Sequence, residues 1–173
     1  TGAKYALSVG AAAASVGIIV GVVTLTGTGF RLSFMVIQSA AQLGEWFTAG
    51  YLGYFFTVEA LTLFFSLVFT AIACIIMGAG IPTTATYIIL VSIAAPALNQ
   101  LGIEPLVAHF FVFYYGVLAD VTPPVALAAY AGAGIAGANP FRTGNTAFRL
   151  SIAKALVPFV FVYSPALLIV TSD

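Results

Sequence analysis

Two helix-breaking motifs lie within sequence that is otherwise apolar enough to cross a membrane. The first is Gly78-Ala-Gly-Ile-Pro-Thr-Thr-Ala-Thr-Tyr87, and the second is Asp120-Val-Thr-Pro-Pro-Val-Ala126. In a bilayer every backbone N–H and C=O needs a partner, so a helix is interrupted only where its free groups face protein or a polar cavity. Transporters use such breaks to bind ions and solutes near the middle of the membrane. The motifs therefore favour a transporter.

Composition predicts an all-α integral membrane protein. Hydrophobic residues make up 62% of the 173 residues and charged residues 6%, against roughly 25% charged in an ordinary soluble domain. Five Lys and Arg balance five Asp and Glu, so no basic field is present to attract nucleic acid. One histidine and one cysteine cannot build a zinc site, and no cofactor is expected. We expect Cys74 only to pack.

Charged residues divide the chain into predicted helices, with length for about five or six membrane passes. Residues 5–30 carry no charge and predict one transmembrane helix, whereas the mixed residues 31–57 predict an amphipathic connector or a short tilted helix. Residues 60–103 are too long for one crossing and must break at the first motif. The remaining predicted helices cover residues 61–77, 84–98, 105–119 and 125–137, followed by a charged segment at 139–154 and a last span at 155–171.

The domain organisation is predicted to be one membrane unit. Residues 1–173 contain no soluble domain and no charged linker. Because the chain begins at Thr1 with no charged n-region, we expect no signal peptide and expect the chain to be a fragment of a longer polypeptide. The cluster of Arg142, Arg149 and Lys154 is expected on the cytoplasmic side by the positive-inside rule.

The first motif has the chemistry of an ion or carboxylate site. Gly78, Gly80 and Pro82 free backbone carbonyls, which suit an alkali cation. Hydroxyls follow at the start of the next half-helix, on Thr83, Thr84 and Thr86, where N–H groups suit a carboxylate. The alternative is a proline-kinked helix whose threonines bond their own backbone.

The second motif sets a carboxylate beside two prolines. Pro123 and Pro124 are expected to leave carbonyls of the preceding turn without partners, and Thr122 adds a hydroxyl. An ionisable residue such as Asp120 within the membrane indicates function. The alternatives are that Asp120 lies near an interface or caps the following half-helix.

Together, the motifs resemble a known transporter family. The two motifs and the intervening Ala95-Pro96-Ala-Leu98 closely resemble the C-terminal part of the large permease subunit of tripartite ATP-independent periplasmic (TRAP) transporters. The chain looks most like the type in which the small and large membrane subunits are fused. The resemblance covers essentially all 173 residues.

The resemblance implies a fold and an activity. The implied fold is half of an inverted-repeat elevator-type transporter, with a re-entrant hairpin and a broken helix. The implied activity is sodium-coupled uptake of organic anions, typically carboxylates, through a bacterial or archaeal cytoplasmic membrane. The implied partners are the other half of the permease, the small membrane subunit or its fused equivalent, membrane lipid and an extracytoplasmic solute-binding protein.

The resemblance also assigns residues to the site. Residues of both motifs match the family's hairpin-tip and broken-helix positions. Asp120 matches the polar position ahead of the two prolines. The tip residues are Gly78, Gly80, Pro82, Thr83 and Thr84, and the loop residues are Thr122, Pro123 and Pro124. We expect Na+ at Gly78, Gly80, Thr83 and Thr122. Ala126 departs from the glycine that many members carry after Pro-Pro-Val.

Two other functions stay open from the sequence. A proton-coupled secondary transporter of another family would require Asp120, Glu59 or His109 to titrate. A membrane scaffold that does not transport would use the breaks only to bend helices. Convergence of the two motifs in space separates this scaffold from either transporter.

Overall fold

The computed structural model describes residues 10, 14–15, 17–23, 25–78, 83–124 and 126–169. Within these ranges the secondary structure is helical, without strands. The α-helices are α1 (Gly17–Val23), α2 (Thr28–Thr48), α3 (Val58–Gly78), α4 (Thr83–Gln100), α5 (Pro105–Ala119), α6 (Leu127–Ala136), α7 (Pro140–Ser151) and α8 (Val157–Tyr163). Short 3-10 helices lie at Tyr51–Tyr54, Ile152–Leu156 and Pro165–Leu168.

The first predicted boundary is wrong. Gly27 adopts a left-handed conformation with φ of 64° and separates α1 from α2, whose axes differ by 66°. The predicted single helix over residues 5–30 therefore ends before Phe30, and residues 1–9 lie outside the described part. Of the two predictions for residues 31–57, the helix is the closer one, because residues 31–48 belong to the 21-residue helix α2, which is longer than the short helix expected. Its polar residues are spread along a helix whose small residues face inward.

Small residues let α2 approach its neighbours closely. The buried residues of α2 are Gly29, Ser33, Ala40 and Gly44. A β-carbon at Gly44 would lie 3.0 Å from Oγ1 of Thr62 on α3. Ser33 donates a hydrogen bond of 2.6 Å from its hydroxyl to the Ile93 carbonyl of α4. Close backbone approach through small residues is the usual way in which membrane helices associate.

Helices α3, α4 and α5 enclose the apolar core. Their most deeply buried side chains include Leu67, Leu98, Phe111 and Val112. The bounds of α5 match the prediction, and α3 and α4 extend the predicted helices by one to three residues at each end. From α8, Phe159 packs its ring 5.7 Å from that of Phe111. The core therefore lies beside the two chain segments that carry the motifs.

The end of the chain differs from its prediction. The predicted span over residues 155–171 is interrupted, because α8 ends at Tyr163 and Ser164 adopts φ of −141° and ψ of 72°. Pro165 follows, and a proline disfavours helical geometry in the residue before it. The charged segment at residues 139–154, which was not predicted as a helix, forms α7 and part of the 3-10 helix Ile152–Leu156. Asn139 caps α7 by accepting a 3.0 Å hydrogen bond from the Arg142 N–H.

Two helices in the described part are long and apolar enough to cross a membrane. They are Val58–Gly78 and the continuous segment Pro140–Tyr163, and α1 with α2 would add a third as one bent span. The helices α5 and α6 are apolar but shorter. This number is lower than the five or six passes that chain length allows, because α5 and α6 are too short to cross alone.

Candidate functional site

The two motifs meet at a hydrogen bond between α4 and the end of α5. The hydroxyl of Thr83, the first residue of α4, donates a 2.9 Å hydrogen bond to Oδ2 of Asp120. Both residues are partly buried. The contact joins residues 37 positions apart, so it is a tertiary contact and not a local cap. The expected approach of the two motifs is observed at these two residues, whereas Gly80 and Pro82 lie outside the described residues.

Backbone groups around the second motif are better satisfied than the sequence suggests. The Ala119 carbonyl accepts a 3.0 Å hydrogen bond from the Thr122 N–H. The Asp120 carbonyl accepts from the Ala128 N–H at 3.1 Å. The expectation that the prolines leave these carbonyls unpaired is therefore wrong, because the chain turns back and donates to them. A carbonyl keeps a second lone pair, but side-chain oxygens become the more available ligands.

Thr122 lies two residues after Asp120 in the same turn. Its hydroxyl donates a 2.8 Å hydrogen bond to the Leu118 carbonyl on the last turn of α5. A bond of this kind from a threonine to the backbone one turn earlier is a common local pattern in helices. It uses the hydroxyl proton and leaves lone pairs on the oxygen. Thr122 can therefore bind a cation without breaking its hydrogen bond.

The loop between α5 and α6 has an unusual backbone. The Pro123–Pro124 peptide bond is cis, and Ala126 has a left-handed conformation with φ of 37°. Glycine adopts that region without steric cost, whereas a β-carbon is disfavoured there. The conformation accounts physically for a preference for glycine at this position. Ala126 is fully buried at the start of α6.

Gly78 has a packing role that the sequence did not indicate. A β-carbon at this buried position would lie 2.7 Å from Cβ of Ala119 and 3.3 Å from the Gly116 carbonyl oxygen. It would also lie 3.3 Å from Cγ2 of Thr86. Gly78 therefore lets the end of α3 reach the end of α5 and the start of α4. This contact places the first motif against the second.

The three threonines of the first motif have different surroundings. Thr83 contacts Asp120, Thr84 is exposed, and Thr86 is 1% exposed. The Thr86 methyl group faces the α3–α5 contact. The structure thus brings Thr83 to the second motif and leaves Thr84 on the surface of the described part.

Two tyrosines near the motifs make contacts that sequence reasoning missed. Tyr130 on α6 donates a 2.6 Å hydrogen bond from its hydroxyl to the Pro124 carbonyl. Its place one turn after Ala126 is the only sequence signal for that contact. Tyr87 on α4 forms a 2.8 Å hydrogen bond with Nδ1 of His109 on α5. His109 is therefore held by a neighbouring helix.

The described residues contain no group of three or more His, Cys, Asp and Glu side chains that could hold a metal ion. The oxygen atoms near the breaks are those of hydroxyl, carboxylate and carbonyl groups. Such ligands suit hard cations rather than zinc or copper.

Two helix breaks in contact within an apolar helical fold are the arrangement with which transporters form ion and solute sites. The chain matches the family model of the tripartite ATP-independent periplasmic transporter, DctM component, over residues 1–173. It therefore belongs to this family, and it is a multi-pass membrane permease of a TRAP transporter rather than a member of an enzyme family. Neither a curated protein nor a solved structure matched the chain.

Proposed function

We propose that this permease couples sodium entry to the uptake of organic anions, typically carboxylates. The observation that carries the proposal is the hydrogen bond between Thr83 and Asp120, because it joins the two helix breaks into one polar site. A scaffold that used the breaks only to bend helices would not need a carboxylate between them. The finding that the chain is a TRAP permease supports the same proposal.

Sodium would be bound by side-chain oxygens at the junction. The Thr83 hydroxyl donates a hydrogen bond to Asp120, and the Thr122 hydroxyl donates one to the Leu118 carbonyl. Each oxygen keeps its lone pairs for a cation. The Asp120 carboxylate supplies a negative charge at the Thr83 hydroxyl. Hydroxyl and carboxylate oxygens suit a hard monovalent cation, and none of these groups has to change its protonation.

The contact between Thr83 and Asp120 also gives a physical reason why binding of sodium and binding of the anion would be coupled. Helix α4 begins at Thr83, and the positive end of its dipole attracts a carboxylate. The negative charge of Asp120 next to this helix start repels a second carboxylate. Sodium at Asp120 removes that repulsion. The anion would therefore bind well only after sodium has bound.

The wider architecture belongs to the same proposal. The chain would be the C-terminal half of an inverted-repeat, elevator-type permease in a bacterial or archaeal cytoplasmic membrane. Its partners would be the other half, the small membrane subunit or its fused equivalent, and an extracytoplasmic binding protein. In the candidate span Pro140–Tyr163, the end that carries Arg142, Arg149 and Lys154 would face the cytoplasm, by the positive-inside rule.

The test is uptake by the full-length transporter with its binding protein in proteoliposomes. A panel of labelled monocarboxylates and dicarboxylates would be offered with a sodium gradient, or with potassium replacing sodium at the same pH. We expect uptake of at least one carboxylate that requires sodium. Sodium-independent uptake driven by a pH gradient would instead support the proton-coupled alternative. Absence of any uptake by an intact transporter would support the scaffold.

A further inference from the structure

Tyr130 connects the loop of the second motif to α7. Its hydroxyl donates to the Pro124 carbonyl, six residues earlier in the chain. Its ring edge lies against Gly144 of α7, where an added β-carbon would lie 2.8 Å from Cε1 of Tyr130. Gly144 is buried. The tyrosine is thus held between the carbonyl that it bonds and a glycine that leaves room for its ring.

We infer that Tyr130 is a positioning residue for the ion site, and that Gly144 fixes its ring. The inference rests on the proposed function, since it concerns the sodium affinity of the site that contains Asp120 and Thr122. Tyr130 acts on the site through the Pro124 carbonyl, to which its hydroxyl donates. No ligand role is assigned to it.

The loop between α5 and α6 is held at both of its ends. The first end is fixed by α5, because the N–H groups of Asp120 and Thr122 bond carbonyls of its last turn. The second end begins α6 with the left-handed residue Ala126. Between these ends, the Pro124 carbonyl is bonded by the Tyr130 hydroxyl. Losing this bond gives the loop more conformations, and ordering them on binding costs affinity.

Because Gly144 contacts the ring of Tyr130, substitution of either residue tests the role of Tyr130. A methyl group at position 144 would meet the ring edge of Tyr130 at 2.8 Å, and it would lie 3.4 Å from Cβ of Ala126. The ring must then shift, and the shift lengthens the bond to Pro124. Gly144→Ala is therefore expected to act through Tyr130.

The experiment measures sodium binding without requiring a known substrate. The purified full-length transporter is heated in increasing NaCl, with choline chloride keeping the ionic strength constant. A cation that binds only the folded state raises its stability in a concentration-dependent way. The half-saturating sodium concentration is determined for the wild type and for Thr122→Ala, Tyr130→Phe and Gly144→Ala. Gly134→Ala is the matched glycine control, because nothing lies within 4 Å of its β-carbon position.

We expect Tyr130→Phe to raise the half-saturating sodium concentration about fivefold, the effect of losing one ordinary hydrogen bond. Gly144→Ala should act similarly, and the double variant should be no worse than the more affected single variant. A purely structural role would lower the unfolding temperature in choline chloride and leave the sodium midpoint unchanged. Gly134→Ala should leave the sodium midpoint unchanged and should not lower the unfolding temperature.

The outcomes distinguish the two proposals. A wild type with no sodium-specific stabilisation, or a Thr122→Ala variant with an unchanged midpoint, contradicts the proposed ion site. A shifted Thr122→Ala with an unchanged Tyr130→Phe overturns only the role of Tyr130. If Gly144→Ala does not fold, Tyr130→Phe still decides the inference.

Discussion

Thr83 and Asp120 form a 2.9 Å hydrogen bond that joins the start of α4 to the end of α5. The two residues belong to different helix breaks, and Gly78 makes their approach possible by admitting Ala119 to the end of α3. The carboxylate thus lies at the start of a half-helix, where a cation and an anionic substrate would influence one another.

Thr83→Ala should weaken sodium binding. The variant loses one candidate ligand and the hydrogen bond to Asp120. The half-saturating sodium concentration for uptake should rise about tenfold if one ligand contributes about 1.4 kcal/mol. Thr83→Ser keeps the hydroxyl and should stay close to the wild type. Thr146→Ala is the control, because Thr146 is an exposed threonine that bonds only its own helix at Arg142.

Gly78→Ala should destabilise the transporter. The added methyl group meets Cβ of Ala119 at 2.7 Å, and overpacking of this kind costs about 1–3 kcal/mol. Thermal unfolding of the purified protein measures the loss. Gly132→Ala should show none, since its β-carbon position is open. The paired change of Gly78→Ala with Ala119→Gly should recover part of the stability, and a pair as unstable as Gly78→Ala alone would contradict the proposed clash.

Position 126 should tolerate substitution by glycine, whereas a β-branched residue there should destabilise the protein. Glycine relieves a left-handed conformation that costs an L-residue about 1–2 kcal/mol, and it loses a buried methyl group worth about 0.8 kcal/mol. Ala126→Gly should therefore lie within about 1 kcal/mol of the wild-type stability. Ala126→Val should unfold at clearly lower temperature. Equal stability of the two variants would contradict the left-handed backbone at this residue.

His109→Gln should affect transport less than Thr122→Ala. Glutamine can still accept a hydrogen bond from Tyr87, but it cannot carry a proton. We expect an unchanged sodium dependence for His109→Gln and a rise of about tenfold in half-saturating sodium for Thr122→Ala. Uptake assays over a range of sodium concentrations measure both. Loss of transport in His109→Gln alone would indicate a proton pathway through the histidine.

Local sequence signals predicted those helices that have clear ends. Pro105 begins α5 and Asp120 follows its last residue, so both ends were readable. The turn at Gly27 was missed because α2 is stabilised by contacts of small residues with α3 and α4, which no local pattern reveals. The break at Ser164 carried a proline signal, but the apolar sequence on both sides outweighed it.

The candidate site was predictable only in part. The residue types of the two motifs indicated oxygen ligands, and the need to satisfy interrupted backbone indicated that the motifs would meet. The bond between Thr83 and Asp120 and the clash that keeps position 78 a glycine depend on tertiary packing. The contact of Tyr130 with Gly144 depends on how α6 and α7 cross, which the sequence does not reveal.

The most direct test of sodium coupling compares the two driving ions in Asp120→Asn and wild-type transporters. Uptake by full-length protein in proteoliposomes is measured with a sodium gradient at constant pH, and with a pH gradient in the absence of sodium. We predict that sodium drives the wild type and that Asp120→Asn transports more weakly but stays sodium-dependent, because the amide oxygen still accepts from Thr83. Uptake that ignores sodium, follows the pH gradient and is lost in Asp120→Asn would contradict sodium coupling and establish a proton-driven transporter.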